Sequence, residues 1–149
     1  NPSMNREDSV TDEGAWFSLR EANSVLAEVR PIVERMVALA EDVQLRKERL
    51  AELNRGARER HPLYREEVAA MERSLEEDML RLQGYVREIV GLGAEIKNIR
   101  EGILDFPARL DGRPIWLCWR LGEPEIRFWH EWDAGFAGRR PISELPELS

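Results

Sequence analysis

Carboxylates, guanidinium groups and an imidazole gather in the last third of the chain: Asp105, Arg120, Glu123, His130, Asp133 and Arg139, with Trp129 among them. An arginine beside tryptophans suits a small anion, because a guanidinium presents a planar fork of donors and stacks on an indole face. Arg120 follows Trp119, with Trp116 and Trp129 near it on the expected hairpin. The competing reading is a cross-strand ion pair with Glu123 or Glu125, worth little at a surface. His130, with Glu131 and Asp133 close behind, could serve as an acid–base group, hold a ligand by hydrogen bonds, or cap the strand end against backbone. No second histidine clusters with it in the manner of a metal signature, so neither metal nor cofactor is expected. Asp105, ahead of Phe106-Pro107, could reach Arg109, Arg120 or Arg139, or could fix a turn. Gly135-Phe136-Ala137-Gly138-Arg139 could form a nest of N–H groups for an anion. It lacks the lysine and Ser/Thr of a phosphate loop, and a close-packed turn that docks Phe136 is the favoured reading. Cys118, the single cysteine, reads as a small buried residue, since nothing beside it in sequence would activate a thiol.

These groups need a sheet to hold them. Residues 115–121 and 125–131 are rich in branched and aromatic types, which favour strands, and Gly122-Glu123-Pro124 between them is turn chemistry. The simplest hairpin sets Trp119 opposite Ile126. Ile115, Leu117, Trp119, Ile126, Phe128 and His130 then share a core face, while Trp116, Cys118 and Arg120 share the other with Trp129, Arg127 and Glu125. This register separates Cys118 from His130. Asp111-Gly112 is a strong hairpin turn. With residues 94–99 and residues 102–106, ended by Pro107, the expectation is a three- to four-stranded antiparallel meander, followed by a loop over residues 136–141.

Ahead of the sheet the pattern is helical. Ser18 and Glu21 have capping-box spacing. Leu19, Ala22, Leu26, Val29, Val33, Met36, Ala40, Val43 and Leu50 follow at heptad-like steps, with Lys47 at one seam position. Pro31 inside the run should kink or split the helix. It should end near Asn54-Arg55-Gly56. His61-Pro62 opens a second helix with proline in the first turn, its seam running Tyr64, Val68, Met71, Leu75, Leu82, Tyr85, Ile89 and Leu92, with Asp78 at one position. Gly91 and Gly93 end it. At about 1.5 Å per residue each arm approaches roughly 45–50 Å, longer than a small sheet covers, so a twofold dimer forming a four-helix bundle is expected.

The class is therefore α+β. Residues 1–14 should be disordered, 15–93 a helical hairpin, 94–142 a sheet and glycine-rich loop packed on it, and 143–149 a mobile tail. At 149 residues with a charged fraction of 34%, the chain can bury one core. A net charge of −7 argues against nucleic acid, whose binders show basic faces. Arg55, Arg58, Arg60 and Arg65 cluster, but Glu59, Glu66 and Glu67 interrupt them, as on a solvated helix tip. One cysteine excludes an internal disulfide framework. With no apolar run of membrane-spanning length and no leader pattern, a cytoplasmic protein is expected.

LCWRLGE and WHEWDAGFAGRRPI, with ILDFPARLDGR before them and FSLREAN at the first helix, resemble an uncharacterised, mainly prokaryotic family, domain-of-unknown-function family 2203. The resemblance spans Phe17 to Ile142. It implies a fold grouping and no established activity.

Two functions remain in view. One is a non-catalytic, dimeric helical-hairpin scaffold whose aromatic and charged sheet face binds a protein partner or a small anion; arginine and tryptophan are common interface anchors. The other is an enzyme or small-ligand sensor that joins Asp105, Arg120, Glu123, Trp129, His130, Asp133 and Arg139 in one pocket.

Overall fold

Residues 16–56 and 62–145 are described by the computed structural model. The expected disorder of residues 1–14 lies outside them, as do residues 146–149, His61, Arg58 and Arg60. The first helix, α1, spans Leu19–Gly56 and α2 spans Pro62–Gly91. The capping box forms: Ser18 N–H donates to Glu21 Oε1 (2.9 Å) and Glu21 N–H to Ser18 Oγ (3.0 Å). Each satisfies an orphan donor of the first turn. Pro31 lies inside α1, which continues through it as one helix. Pro62 is the first residue of α2, where a missing N–H leaves no helical bond unmade.

The heptad-like positions of α1 are the buried ones: Ala22, Leu26, Val29, Val33, Met36, Ala40 and Val43. On α2, Leu75 and Ile89 are buried, and Ile89 joins Ala22, Leu26, Val29, Val33 and Met36 in one core, with Leu82, Tyr85 and Leu92 packed at the margin. Asp78, the charged residue in the α2 seam, accepts from Arg46 of α1 at 2.6 Å. Tyr64 Oη donates to the Leu53 carbonyl at 3.0 Å near the tip.

The sheet is a five-stranded antiparallel meander, one strand beyond the expected limit: β1 Glu95–Asn98, β2 Ile103–Leu110, β3 Arg113–Arg120, β4 Phe128–Glu131 and β5 Arg140–Pro141. The short β5 falls where a loop was expected. Asp111 (φ 53°) and Gly112 (φ 81°) make the two-residue turn, with positive φ at both positions as the twist of such hairpins requires. The strand expected to stop at Pro107 runs on to Leu110. The Pro107 carbonyl accepts from Phe17 N–H at 2.7 Å. In a strand the nitrogen of a residue points to the same side as its carbonyl, so proline here removes no bond to β3.

The β3–β4 register is Trp116 opposite His130, Leu117 opposite Trp129 and Cys118 opposite Phe128. The expected pairing of Trp119 with Ile126 is one residue out. Residues 121–127 are not a tight hairpin loop but are tied to α1: Arg30 donates to the Glu123 and Pro124 carbonyls (3.2 and 2.7 Å), and Asn23 Oδ1 accepts from Ile126 N–H (2.9 Å). Ile126 enters the core ahead of the strand. A one-residue slip moves each side chain of β4 to the other face. Trp129 therefore faces the helices with Leu104, Phe106, Ile115, Leu117 and Trp119 in one core, while Phe128 and His130 turn to the outer face.

That outer face is roofed rather than open. Trp132 stacks on Trp116 at 4.1 Å between centroids and 6° between planes, Trp16 leans on Trp132 at 5.8 Å, and Phe136–Gly138 form a 3-10 turn above the strands. A second 3-10 turn, Ile142–Glu144, leads to Leu145, which packs against the core.

Candidate functional site

Three polar side chains lie buried beneath this roof. Asp105 on β2 is directly opposite Cys118 on β3, and His130 on β4 is diagonal to Cys118. Their candidate donor atoms lie within 4.8 Å of one another. The separation of Cys118 and His130 onto opposite faces is thus overturned, and the register slip is the cause. His130 Nε2 stands 3.0 Å from Asp105 Oδ2, and Nδ1 stands 2.9 Å from the Glu131 carbonyl oxygen. A carbonyl only accepts, so Nδ1 carries a proton. Nε2 and a carboxylate oxygen at 3.0 Å then need a proton between them.

Asp105 is 1% exposed, and its other oxygen, Oδ1, has no hydrogen-bond partner. Burial raises the Asp105 pKa, against the pull of His130, Cys118 and Lys97. Burial foremost, and then the Asp105 charge, push the Cys118 thiol far above its ordinary range. That raised value favours the neutral thiol over the reactive thiolate. A pocket of about 240 Å³ opens over this floor, with Lys97, Asn98, Ile103 and Phe136 among its walls.

Glu123 and Arg139 form the second cluster. The Arg139 guanidinium donates to both Glu123 oxygens (2.8 and 2.6 Å) and lies over Phe128 and Phe136 at 4.0 and 4.4 Å. Glu123 also accepts from Arg120 N–H at 2.9 Å. The stacked, clamped arginine expected at Arg120 is therefore Arg139. The Arg120 guanidinium instead pairs with Glu101 at 3.0 Å on an exposed rim, 5.8 Å from the Phe136 ring. Trp129 lies in the helix-side core, off the pocket, with Arg113 and Arg140 against its ring. Asp133 is exposed beyond β4.

Of the seven candidates, the fold joins Asp105 to His130 and Glu123 to Arg139, leaves Arg120 on a rim, and does not bring Trp129 or Asp133 to the pocket. Sequence reasoning missed Lys97 and the part played by Cys118. Strand alternation around Cys118 was the available signal, and the wrong register hid it.

The class that emerges is an α+β protein: a helical hairpin backing an antiparallel meander, with an aspartate, a histidine and a thiol gathered on its far face beneath a small pocket. The chain belongs to the uncharacterised conserved protein family DUF2203, whose model matches residues 15–142. No curated protein and no solved structure gives a significant match. Among the described residues, no helix is long and apolar enough to cross a membrane.

Proposed function

We propose that this protein is a small-ligand-binding module, in which the outer sheet face forms the site and the helical hairpin forms a self-association arm. The observation that carries the reading is the pocket of about 240 Å³ floored by buried Asp105. A buried, half-satisfied carboxylate is costly, and proteins keep such groups where they act on something. The anion-binding form of the reading loses support, because the charge of Arg139 is already paired with Glu123 and that of Arg120 with Glu101; the buried Nε of Arg139 is left without a partner. Lys97 remains at the wall, itself paired with Glu95 at 2.9 Å. A catalytic reading would rest on the Asp105–His130 dyad as acid–base pair, with the buried Cys118 thiol disfavoured as attacking group by its raised pKa.

The test is a thermal-shift screen of small polar metabolites, nucleotides and metal ions against wild type, Asp105→Asn and Phe136→Ala. A ligand that binds only the folded state raises the melting temperature by mass action. A hit weakened in both variants supports the reading. Hits indifferent to both, or no hit in any class, overturn it. For the arm, exposed Leu45 and Leu80 and a depression of about 460 Å³ along α2 support association of two copies. Sedimentation as a monomer at micromolar concentration overturns that part alone.

A further inference from the structure

We infer that Asp105, Cys118 and His130 bind a divalent transition-metal ion of the zinc type, with a fourth coordination position open to the pocket. This names the ligand class of the pocket proposed above and rests on that reading. Four observations converge. The three side chains come from three adjacent strands of one rigid sheet and offer one oxygen, one sulfur and one nitrogen, all buried, within 4.8 Å. Oδ1 of Asp105 is buried without a partner. The Nδ1–H of His130 is anchored on the Glu131 carbonyl, the arrangement that fixes the tautomer of a metal-bound histidine and turns the Nε2 lone pair inward. Asp105 and Cys118 also line the pocket, so water or a ligand atom has a route to the ion.

The donor chemistry selects the ion. A thiolate and an imidazole exclude calcium and magnesium, which take oxygen ligands, and favour zinc and its neighbours. Bonds of about 2.0–2.3 Å in tetrahedral geometry set donors about 3.4–3.6 Å apart. Side-chain adjustments of about an ångström would reach that geometry from the present spread. Charge also closes: a thiolate and a carboxylate neutralise a dication, leaving no net charge buried. Binding forms metal–sulfur, metal–oxygen and metal–nitrogen bonds and displaces two protons, one from the Cys118 thiol and the one shared by Asp105 and His130. Three protein ligands plus an open position is the pattern of zinc sites that bind or activate a ligand, while closed four-ligand sites are structural.

The test uses the full chain, stripped with chelator and titrated with cobalt(II) and then zinc(II). The expected result is one ion per chain, a thiolate-to-cobalt charge-transfer band with the intense visible bands of a four-coordinate site, and displacement of both by zinc. Cys118→Ser should abolish the charge-transfer band, and Asp105→Asn and His130→Gln should each weaken zinc binding at least about tenfold, the lower end of what even outer-shell changes cost. Circular dichroism checks that each variant folds, and the near-isosteric Asp105→Asn keeps the test valid if another variant does not. Absence of stoichiometric binding overturns the assignment, as does a cobalt spectrum that survives Cys118→Ser or zinc affinity unchanged in all three variants. If metal fails while a metabolite binds in an Asp105-dependent way, the pocket reading stands and the metal assignment alone falls.

Discussion

Cys118 stands on the outer face of the sheet, yet it is 0% exposed, and burial beside Asp105 holds it as a thiol. Alkylation needs a thiolate that a reagent can reach. In the metal-free native protein Cys118 should resist iodoacetamide for as long as the fold persists and react fully in denaturant, as mass spectrometry would show. Rapid native labelling would refute the burial. Glu131, next to His130, behaves in the opposite way. The bidentate Arg113 (3.1 and 2.8 Å) holds its carboxyl below the usual glutamate range. A lowered carboxylate pKa stabilises the fold above the unfolded-state value, and that contribution disappears as pH falls through the folded-state value. The effect is small for so exposed a pair, so the measurement is an NMR titration of the carboxyl carbon. Its midpoint should rise toward about 4.3 in Arg113→Gln. An unmoved midpoint would break the attribution.

Element by element, legibility followed the distance over which the deciding interactions act. Ser18 and Glu21 are three residues apart, and the cap they form was readable as it stands. Ser18→Ala should cost about 1 kcal/mol in urea unfolding; a loss below a few tenths would mean the box contributes nothing. The Asp111-Gly112 turn was equally local. The β3–β4 register was not, because Asn23 and Arg30 of α1 fix the loop at Ile126 and Glu123 from about a hundred residues away. That displacement hid the site. Asp105 and His130 were visible as separate candidates, Glu123 and Arg139 likewise, but the Asp105–His130 pairing depends on which face β4 presents, and the Glu123–Arg139 pairing joins two loops that no local signal brings together. Gly102 belongs with these non-local features. At φ 69° it turns β1 into β2, and a Cβ there would meet Leu121 at 2.8 Å and Val33 of α1 at 3.2 Å. Gly102→Ala should therefore destabilise by more than the roughly 1–2 kcal/mol of left-handed backbone strain alone.

The whole molecule is unevenly supported. The main core takes in buried residues of α1 as far as Met36, Ala40 and Val43 are still buried, and between Val43 and Leu75 no described residue is buried. A helix as long as α1 reaches about 57 Å, and the sheet's longest strands reach only about 27 Å. The far half of the hairpin is held by its own seam, with the Arg46–Asp78 pair where that stretch begins. Amide hydrogen exchange should grade from slow at residues 26–36 to fast at residues 45–54. If a second copy covers the arm, the fast end should slow as protein concentration rises. Exchange independent of concentration would leave the arm uncovered.

The indole pair of Trp116 and Trp132, parallel to 6° at 4.1 Å, gives the molecule a built-in optical gauge. One ring is fixed to β3 and the other rides on the segment that closes over Asp105, with the Trp116 Nε1–H donating to the Trp132 carbonyl at 3.1 Å. Transition moments held this close and this parallel perturb each other strongly, and the perturbation fades when one ring swings away. Any displacement of that segment from the sheet would therefore register in near-ultraviolet dichroism and intrinsic emission, without a label, in the unmodified chain.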